Sequence, residues 1–391
     1  MKTGSRFLPG ILRIVSVLAC ICLLSACNAR DRAVQALVDI GLISQPELTQ
    51  VVLAVPVPLA YAVENTGFIR GIELAREDIA AMDMPLSLEV RIDDDRGDFA
   101  AAVELAQEYI NDRSVIGVIG HWFSNICIPI SSIYTMSEQT LIVPTVSIPS
   151  LTLPHSGYVF RNIPADDQIS IKMSDYAVSQ GTKRAVVYYE YSIYGFEMSA
   201  FLEQYARSAG IEIVDRVRAP DLGQELSILS RKWTALDYDT VFVVSNVEEG
   251  AAFVNALRAR GFEGAVICSD GMDGASLNRL LGPDTGNLVV SSIFHSERPS
   301  EGIVRFQRRY AERYGTPPDV WAIQGYDSVM IVARAVADYN VTSSGQLSEY
   351  LSAADSLGSI FGETSFNERR EIIGKSVYLK KWAGTRFEYI A

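Results

Sequence analysis

Residues 115–124 read VIGVIGHWFS and contain the pattern that decides the fold class. Residues 115–119 are apolar on both faces, as expected for a strand buried inside a parallel sheet. The residues that follow, 124–138, have helical character. A short buried strand that leads into a helix is the unit from which sheets with helices on both faces are built.

The alternation of strands and helices continues on both sides of this segment. Residues 86–92 alternate apolar and polar side chains, which is typical of a half-exposed strand. Residues 68–82 carry apolar side chains at helical spacing, so one stripe of that helix can lie on a sheet. The other elements predicted in this part of the chain are strands at 50–58 and 141–146 and a helix at 99–110. Together they predict one doubly wound lobe.

The same pattern restarts after residue 163 and predicts a second lobe. The predicted helices lie at 167–180, 196–209, 224–236 and 248–260, and the strands at 184–190, 211–217, 240–245 and 265–269. Helices at 301–314 and 322–339 follow, and strand-like segments at 376–382 and 386–390 end the chain. A chain of 391 residues is also longer than a single hydrophobic core usually accommodates. We therefore predict an α/β fold with two doubly wound parallel-sheet lobes.

The first 27 residues predict export and lipidation. Lys2, Arg6 and Arg13 precede an uncharged apolar stretch at 14–24, which is followed by LSAC ending at Cys27. This pattern is typical of a signal peptide at 1–26, and the cysteine resembles the acylation site of bacterial lipoproteins. A transmembrane anchor is the alternative, but spanning a bilayer takes about 20 apolar residues. We therefore expect a lipoprotein in the periplasm or on the cell surface, anchored through Cys27, with a tether at 27–48.

Composition and motifs argue against several classes of function. The formal net charge of −13 repels a phosphate backbone, so nucleic acid is not an expected partner. With Cys20 and Cys22 in the signal peptide and Cys27 acylated, only Cys127 and Cys268 remain, too few for a metal cluster or disulfide scaffold. The spacing of the three histidines fits neither a metal pair nor a nucleophile's base, and GxSxG, Walker and GxGxxG motifs are absent. We expect no enzyme activity, metal or cofactor.

Candidate ligand-binding residues follow the predicted strands, because open parallel sheets bind ligands at the carboxyl ends of their strands. Ser124 stands at the predicted start of a helix, where a hydroxyl can cap the helix, bind a carboxylate, or do both. Thr145 and Ser147 lie in a loop between two prolines, which is either a polar turn or a preorganised binding loop. Tyr194 and Asp270 follow two strands of the second lobe, and the carboxylate can pair with a ligand ammonium or belong to a polar turn.

An ordered series of short segments resembles a known family. These segments are 71–75, 93–95, 118–121, 158–161, 194–195, 258–261 and 325–327. In this order they are similar to the periplasmic substrate-binding lipoproteins of ABC importers, of the leucine/isoleucine/valine-binding, type I periplasmic binding kind. The resemblance covers residues 49–389.

The resemblance implies two lobes joined by three hinge crossovers, with an amino acid or related zwitterion between them for delivery to permease subunits. The crossovers would lie near Asn162, Ile293 and Phe361. Lobe 1 would then comprise 49–162 plus 293–360, and lobe 2 would comprise 163–292 plus 361–391.

The resemblance also implies individual roles. Ser124 corresponds to the hydroxyl that takes the ligand carboxylate, helped by Ser147 and by the backbone of Thr145. Tyr194 corresponds to an aromatic near the ligand head group, and Asp270 to the acid that holds the ammonium.

The chain departs from the family pattern at the predicted pocket. Trp122 replaces a smaller apolar residue and would narrow the pocket or fill the interlobe core. No aromatic stands at 246–247, where the leucine-type proteins have one. Tyr61 and Glu64 have no secure counterpart; if Glu64 faces the cleft it permits a cationic ligand tail, and otherwise it is a solvated loop residue.

Two alternatives remain open from the sequence. Cys127 and Cys268 lie near opposite sides of the predicted cleft and are either a disulfide or, as we favour, two buried thiols. A lipoprotein with this fold can also act as a regulator or sensor through protein–protein contacts, which would not need Ser124, Tyr194 and Asp270 to converge.

Overall fold

The computed structural model describes residues 50–152, 157–282, 285–297 and 300–390. The predicted signal peptide at 1–26, the lipidation site Cys27 and the tether at 27–48 lie outside these residues. Within the described ranges, no helix combines the length and the apolarity needed to cross a membrane.

The first sheet has five parallel strands. They are β1 (Gln50–Val57), β2 (Ser87–Asp94), β3 (Val115–Ile119), β4 (Leu141–Val143) and β5 (Val159–Arg161), in the order β2-β1-β3-β4-β5. Every residue of β3 is buried, as its two apolar faces predict. In β2, Leu88 and Val90 are buried between exposed neighbours, so the predicted alternation is present there.

Four helices connect these strands. They are α1 (Leu59–Asn65), α2 (Phe68–Ala80), α3 (Phe99–Asn111) and α4 (Ser124–Met136). The apolar sides of α3 and α4 pack with the sheet in one core that contains Tyr109, Ile130 and Cys127. Helix α1 lies in a segment, between the predicted strand at 50–58 and the predicted helix at 68–82, for which the sequence predicted no helix. Its seven residues are too few to show a helical period, and only Ala62 of the seven is buried.

The second sheet begins with five parallel strands. They are β6 (Arg184–Tyr189), β7 (Glu212–Arg218), β8 (Thr240–Val244), β9 (Ala265–Cys268) and β10 (Leu288–Ser292). Alternate residues of β8 belong to two different cores, with Val241 and Val243 on one face and Phe242 and Val244 on the other. Helices cover both faces. They are α5 (Asp166–Ser179), α6 (Ile193–Ser208), α7 (Gln224–Ala235), α8 (Val247–Arg258) and the short α9 (Leu277–Leu280).

After β10 the chain returns to the first sheet. It forms α10 (Glu301–Tyr314), α11 (Val320–Tyr339), α12 (Ser344–Ala353) and a two-stranded ribbon of β11 (Ser365–Phe366) and β12 (Ile372–Ile373). Helix α11 packs on α2 so closely that a Cβ atom at Gly71 would lie 1.9 Å from the carbonyl oxygen of Ala322. The ribbon lies against β5, where Phe366 contacts Phe160 and the amide of Arg161 donates to the carbonyl of Arg370.

The last two strands belong to the second sheet. These are β13 (Tyr378–Trp382), antiparallel to β10, and β14 (Phe387–Tyr389), which give the order β14-β13-β10-β9-β8-β6-β7. The predicted fold class is confirmed. The exact lobe boundaries, including the third crossing near Phe361, stay predictions. The ribbon that follows Phe361 contacts β5 of the first sheet.

A buried polar network ties the crossings to α11. The Lys375 ammonium lies 3.0 Å from the Asp327 carboxylate, with both side chains 0% exposed, and donates to the carbonyl of Asn162 and to Gln324. Asp327 in turn accepts from the Ser359 hydroxyl and the Ile360 amide. We call these six residues the crossover network. It joins the first crossing to the chain segments on both sides of the ribbon.

Both cysteines in the described residues are free thiols. Cys127 is buried in the core of the first sheet, and Cys268 is buried in a core of the second. The disulfide alternative is therefore absent from the structure.

Candidate functional site

A cleft of about 450 Å³ lies between the two sheets. Its walls come from the loops that follow strands of both sheets, and all six residues predicted as ligand contacts line it. The lining residues are Tyr61, Asn65, Thr66, Trp122, Phe123, Ser124, Asn125, Thr145, Ser147, Glu190, Ser192, Tyr194, Asn246, Val247, Glu248, Asp270, Gly271 and Trp321. The convergence at one cavity matches the expectation that the carboxyl ends of parallel strands form the binding crevice.

Ser124 is the first residue of α4 rather than its N-cap. Phe123 takes the N-cap position with an extended backbone, and no side chain caps the helix. The prediction was wrong by one residue because the helix begins earlier than the spacing suggested. The start of the helix therefore lies at the cleft without a side-chain cap, where the helix dipole favours an anion.

The loop after β4 supports this helix start. Thr145 Oγ1 donates to the Trp122 carbonyl at 3.2 Å, so the threonine hydroxyl holds the loop that precedes Ser124. Ser147 is 2% exposed, and its carbonyl accepts from the amide of Asp166. The loop is thus fixed to both halves of the molecule.

A buried histidine, His121, anchors the loop that leads from β3 to Ser124. His121 Nδ1 lies 2.8 Å from Asp95 Oδ2, and His121 Nε2 lies 3.2 Å from the Tyr134 hydroxyl. All three side chains are buried. His121 therefore has a structural role: its two ring nitrogens hold the start of this loop against Asp95 and Tyr134.

Asp270 is the acidic group of the second lobe. It follows β9, is 3% exposed and accepts from the Tyr194 hydroxyl at 3.0 Å. That hydroxyl also lies 2.8 Å from Ser269 Oγ. Burial raises the pKa of Asp270 to about 6, and burial likewise raises the pKa of Tyr194 well above its usual range. A cation placed beside Asp270 would stabilise its ionised form.

A second buried carboxyl group lies near Asp270 and was not found from the sequence. Asp166 is the first residue of α5 and is 0% exposed. Burial raises its pKa to about 8; the nearby charge of Asp270 acts in the same direction, while Ser147 and Arg161 oppose it. No periodicity or motif marks this residue, since its position depends on how the two lobes meet.

Aromatic side chains form one wall of the cleft. Tyr61 lies 5.8 Å from Trp122 and 5.3 Å from Phe123, and Trp122 lies 5.3 Å from Trp321, measured between ring centroids. We call these four residues the aromatic wall. Trp122 is 8% exposed and lines the cleft, and its ring packs on aromatic residues of its own lobe. Whether it narrows the pocket or fills the interlobe core stays a prediction.

The opposite wall carries two further carboxylates that were not predicted as ligand contacts. Glu190 follows β6 and accepts from the Asn246 amide and from Asn246 Nδ2, both at 2.7 Å. Glu248 is an exposed residue in the first turn of α8. Glu64 does not line this cleft; it lines a separate, wider groove of about 1000 Å³. The acidic residues that matter here therefore come from the second lobe.

No cluster of three or more metal-binding side chains is present in the described part of the chain. The cleft residues offer hydroxyls, amides, carboxylates and aromatic faces. This set can bind a small polar solute.

Comparisons with known proteins agree with this geometry. A family model described as "Periplasmic binding protein" matches residues 57–385. A Pseudomonas aeruginosa protein named "Amino acid binding protein" is 21% identical over 348 residues, which cover 87% of this chain and 92% of that protein. The "Leu/Ile/Val-binding protein homolog 3" of Brucella melitensis is 19% identical over 292 residues, covering 74% of this chain and 78% of that protein.

A solved structure is also similar over most of the chain. It is an ABC transporter substrate-binding protein from Desulfitobacterium hafniense in complex with Leu. The identity is 30% and the TM-score 0.76, with 87% of this chain and 100% of that chain covered.

Proposed function

The chain belongs to the periplasmic binding protein family, and on that premise we propose that it binds an amino acid or related small zwitterion and delivers it to the permease of an ABC importer. The family consists of solute-binding proteins and implies an extracytoplasmic location. We propose no catalytic step and no cofactor.

One observation carries the proposal: Ser124 and Asp270 line the same cleft from different lobes. Ser124 lies at an uncapped helix start, which suits a carboxylate, and Asp270 is a buried acid, which suits an ammonium. The two groups of an α-amino acid match this pair. The Desulfitobacterium hafniense protein, 30% identical, was solved in complex with Leu, an amino acid of this kind.

The other predicted contacts have supporting roles in the proposal. Ser147 and the backbone of Thr145 help to hold the carboxylate, while the Thr145 hydroxyl fixes the Ser124 loop. Tyr194 orients Asp270 through their hydrogen bond. Trp122 contacts the ligand's side chain as part of the aromatic wall.

A ligand that touches both lobes stabilises the closed arrangement by its additional contacts there. We propose that the permease subunits recognise this closed form. Lipidation at Cys27 would keep the protein beside its transporter, in the periplasm or on the cell surface. A regulator or sensor that acts only through protein contacts would not need six polar and aromatic residues around one cleft, so solute binding is the better-supported function.

Thermal denaturation of the purified full-length chain with individual amino acids tests the proposal. A ligand at 100 times its dissociation constant adds about 2.7 kcal/mol to the free energy of unfolding. We expect a stabilising amino acid for the parent protein and no such shift for Asp270→Ala, with the unliganded fold intact. Asp355→Ala, an exposed site, is the matched control and should respond like the parent. An unchanged response of Asp270→Ala refutes the assigned role.

A further inference from the structure

The cleft carries more negative charge than an ordinary amino acid can match. Its lining includes the carboxylates of Glu190, Glu248 and Asp270. Arg, Lys and His are absent from this described lining. A zwitterionic amino acid brings one ammonium, which Asp270 takes in the proposed function. The remaining two carboxylates are then without a cation in the cavity.

Both surplus carboxylates face the same part of the cleft. The Tyr61 hydroxyl belongs to the first lobe, whereas Glu248 and Glu190 belong to the second. Burial raises the pKa of that hydroxyl, and the negative charges of Glu248 and Glu190 raise it further. Tyr61, Glu190 and Glu248 all line the same cleft, so a ligand group beside Tyr61 is also near the two glutamates.

The hydrogen bonds of Glu190 do not neutralise it. Its partners are the Asn246 amide, Asn246 Nδ2 and the Ser192 hydroxyl, all of which are uncharged. These donors stabilise the ionised carboxylate in a fixed position. Glu248 lies in the first turn of α8, where the helix dipole also favours the charged form. Neither glutamate has a cationic partner among the described residues of the cleft lining, so both are available to a cation of the ligand.

The aromatic wall favours the same kind of ligand group. The faces of Trp, Tyr and Phe attract guanidinium and ammonium cations, most strongly when water is displaced. An aliphatic side chain in this position would use the aromatic surface but would bring uncharged atoms against two carboxylates and displace their water. A cation between the wall and the glutamates interacts favourably with both.

We propose that the ligand is a basic amino acid, whose side-chain guanidinium or ammonium lies between Tyr61 and the Glu190–Glu248 pair. This inference rests on the proposed function, since it assumes that Ser124 and Asp270 hold the α-carboxylate and the α-ammonium. It assigns to Glu248 and Glu190 a role in specificity.

Isothermal titration of the purified full-length chain with L-arginine, L-lysine, L-leucine, L-phenylalanine and benzoate tests the inference. We expect L-arginine or L-lysine to bind at least about tenfold more tightly than L-leucine and L-phenylalanine. Glu248→Gln should lower the ratio of arginine to leucine affinity about threefold or more, and Glu190→Gln should lower it further because that side chain is held in place. Glu263→Gln is an exposed control with the same charge change and should leave the ratio unchanged.

The possible outcomes separate the two claims. Tighter binding of L-leucine or L-phenylalanine than of both basic amino acids overturns this inference and leaves the proposed function standing. Preference for benzoate over every amino acid, or no binding of any amino acid, overturns the proposed function as well. If basic amino acids bind best but neither glutamine variant changes the ratio, the specificity role of the two glutamates is wrong.

Discussion

Asp327 in the crossover network and Asp270 in the cleft are both buried carboxylates, but only Asp327 has a cation beside it. Lys375 lies 3.0 Å from Asp327. Asp270 accepts a hydrogen bond from the neutral Tyr194 hydroxyl, and burial raises its pKa to about 6. The structural carboxylate Asp327 thus has a counterion within the protein. Asp270, which we assign to ligand binding, would receive its counterion from the ligand.

The largest effect of a substitution is expected at the crossover network. Lys375→Met removes the ammonium and leaves Asp327 buried without a cation. Breaking a buried ion pair from one side costs about 3–5 kcal/mol, and we expect that loss in the free energy of unfolding measured with urea. Lys381→Met, six residues further on in β13 and exposed, should change it little.

A second substitution shows whether the loss of stability comes from the broken Lys375–Asp327 ion pair or from the loss of side-chain packing. The double variant Lys375→Met, Asp327→Leu removes both charges and should recover much of the stability, because apolar replacements of buried pairs are often tolerated. A double variant no more stable than the single one would show that the ion pair is not the source of the loss.

Asp270, which lines the cleft, and the buried Asp166 near it should show the opposite behaviour, because each destabilises the folded state when it is ionised. Burial raises the pKa of Asp166 to about 8, so the folded state holds a proton that the unfolded chain has lost above its own pKa. This contribution to stability is fully present below about pH 4 and is lost as the pH rises through about 8. Asp270, with a pKa of about 6, adds the same trend over a narrower range.

Asp166→Asn should therefore make the unliganded protein more stable at pH 8 by about 2–3 kcal/mol, with a difference that shrinks toward pH 5. Urea unfolding at a series of pH values measures this directly. The neighbouring, less buried Asp167→Asn is the control and should leave the pH dependence as it is in the parent. A parallel shift at all pH values would contradict the assignment to Asp166.

The smallest expected effect is in the loop that carries the carboxylate end of the site. Thr145→Val removes the hydroxyl that donates to the Trp122 carbonyl. One such bond is worth about 1 kcal/mol, so affinity for the preferred amino acid should fall about fivefold. Titration calorimetry measures the change, with Thr234→Val in an exposed helix position as the control. Unchanged affinity would show that the loop keeps its position without this bond.

The sequence predicted the parts of the site that depend on strand ends. Ser124, Thr145, Tyr194 and Asp270 each follow a strand, and parallel strand ends meet at one edge of a sheet. That rule places them on the same side of each lobe without any knowledge of side-chain packing. It does not fix the first residue of a helix, so the N-cap was predicted at Ser124, one residue after its actual position at Phe123.

The remaining parts depend on how distant segments meet. Trp321 joins Trp122 across nearly 200 residues of chain because α11 returns to the first sheet. Asp166 owes its raised pKa to burial at the junction of the lobes. Glu248 looks like an ordinary acidic residue in the first turn of a helix, and only the folded structure shows that it lines the cleft. Local sequence patterns contain no information about such contacts.

The ribbon at 365–373 has a consequence for biosynthesis. It supplies partners for β5, including Glu371, whose carboxylate lies 2.8 Å from the buried guanidinium of Arg161. Two hundred and ten residues separate these two partners. All five strands of the first sheet are therefore synthesised long before the ribbon. The β5 edge of that sheet stays uncovered until almost the whole polypeptide has been made. Premature termination before residue 365 would remove the ribbon and leave β5, more than 200 residues upstream, without its partners.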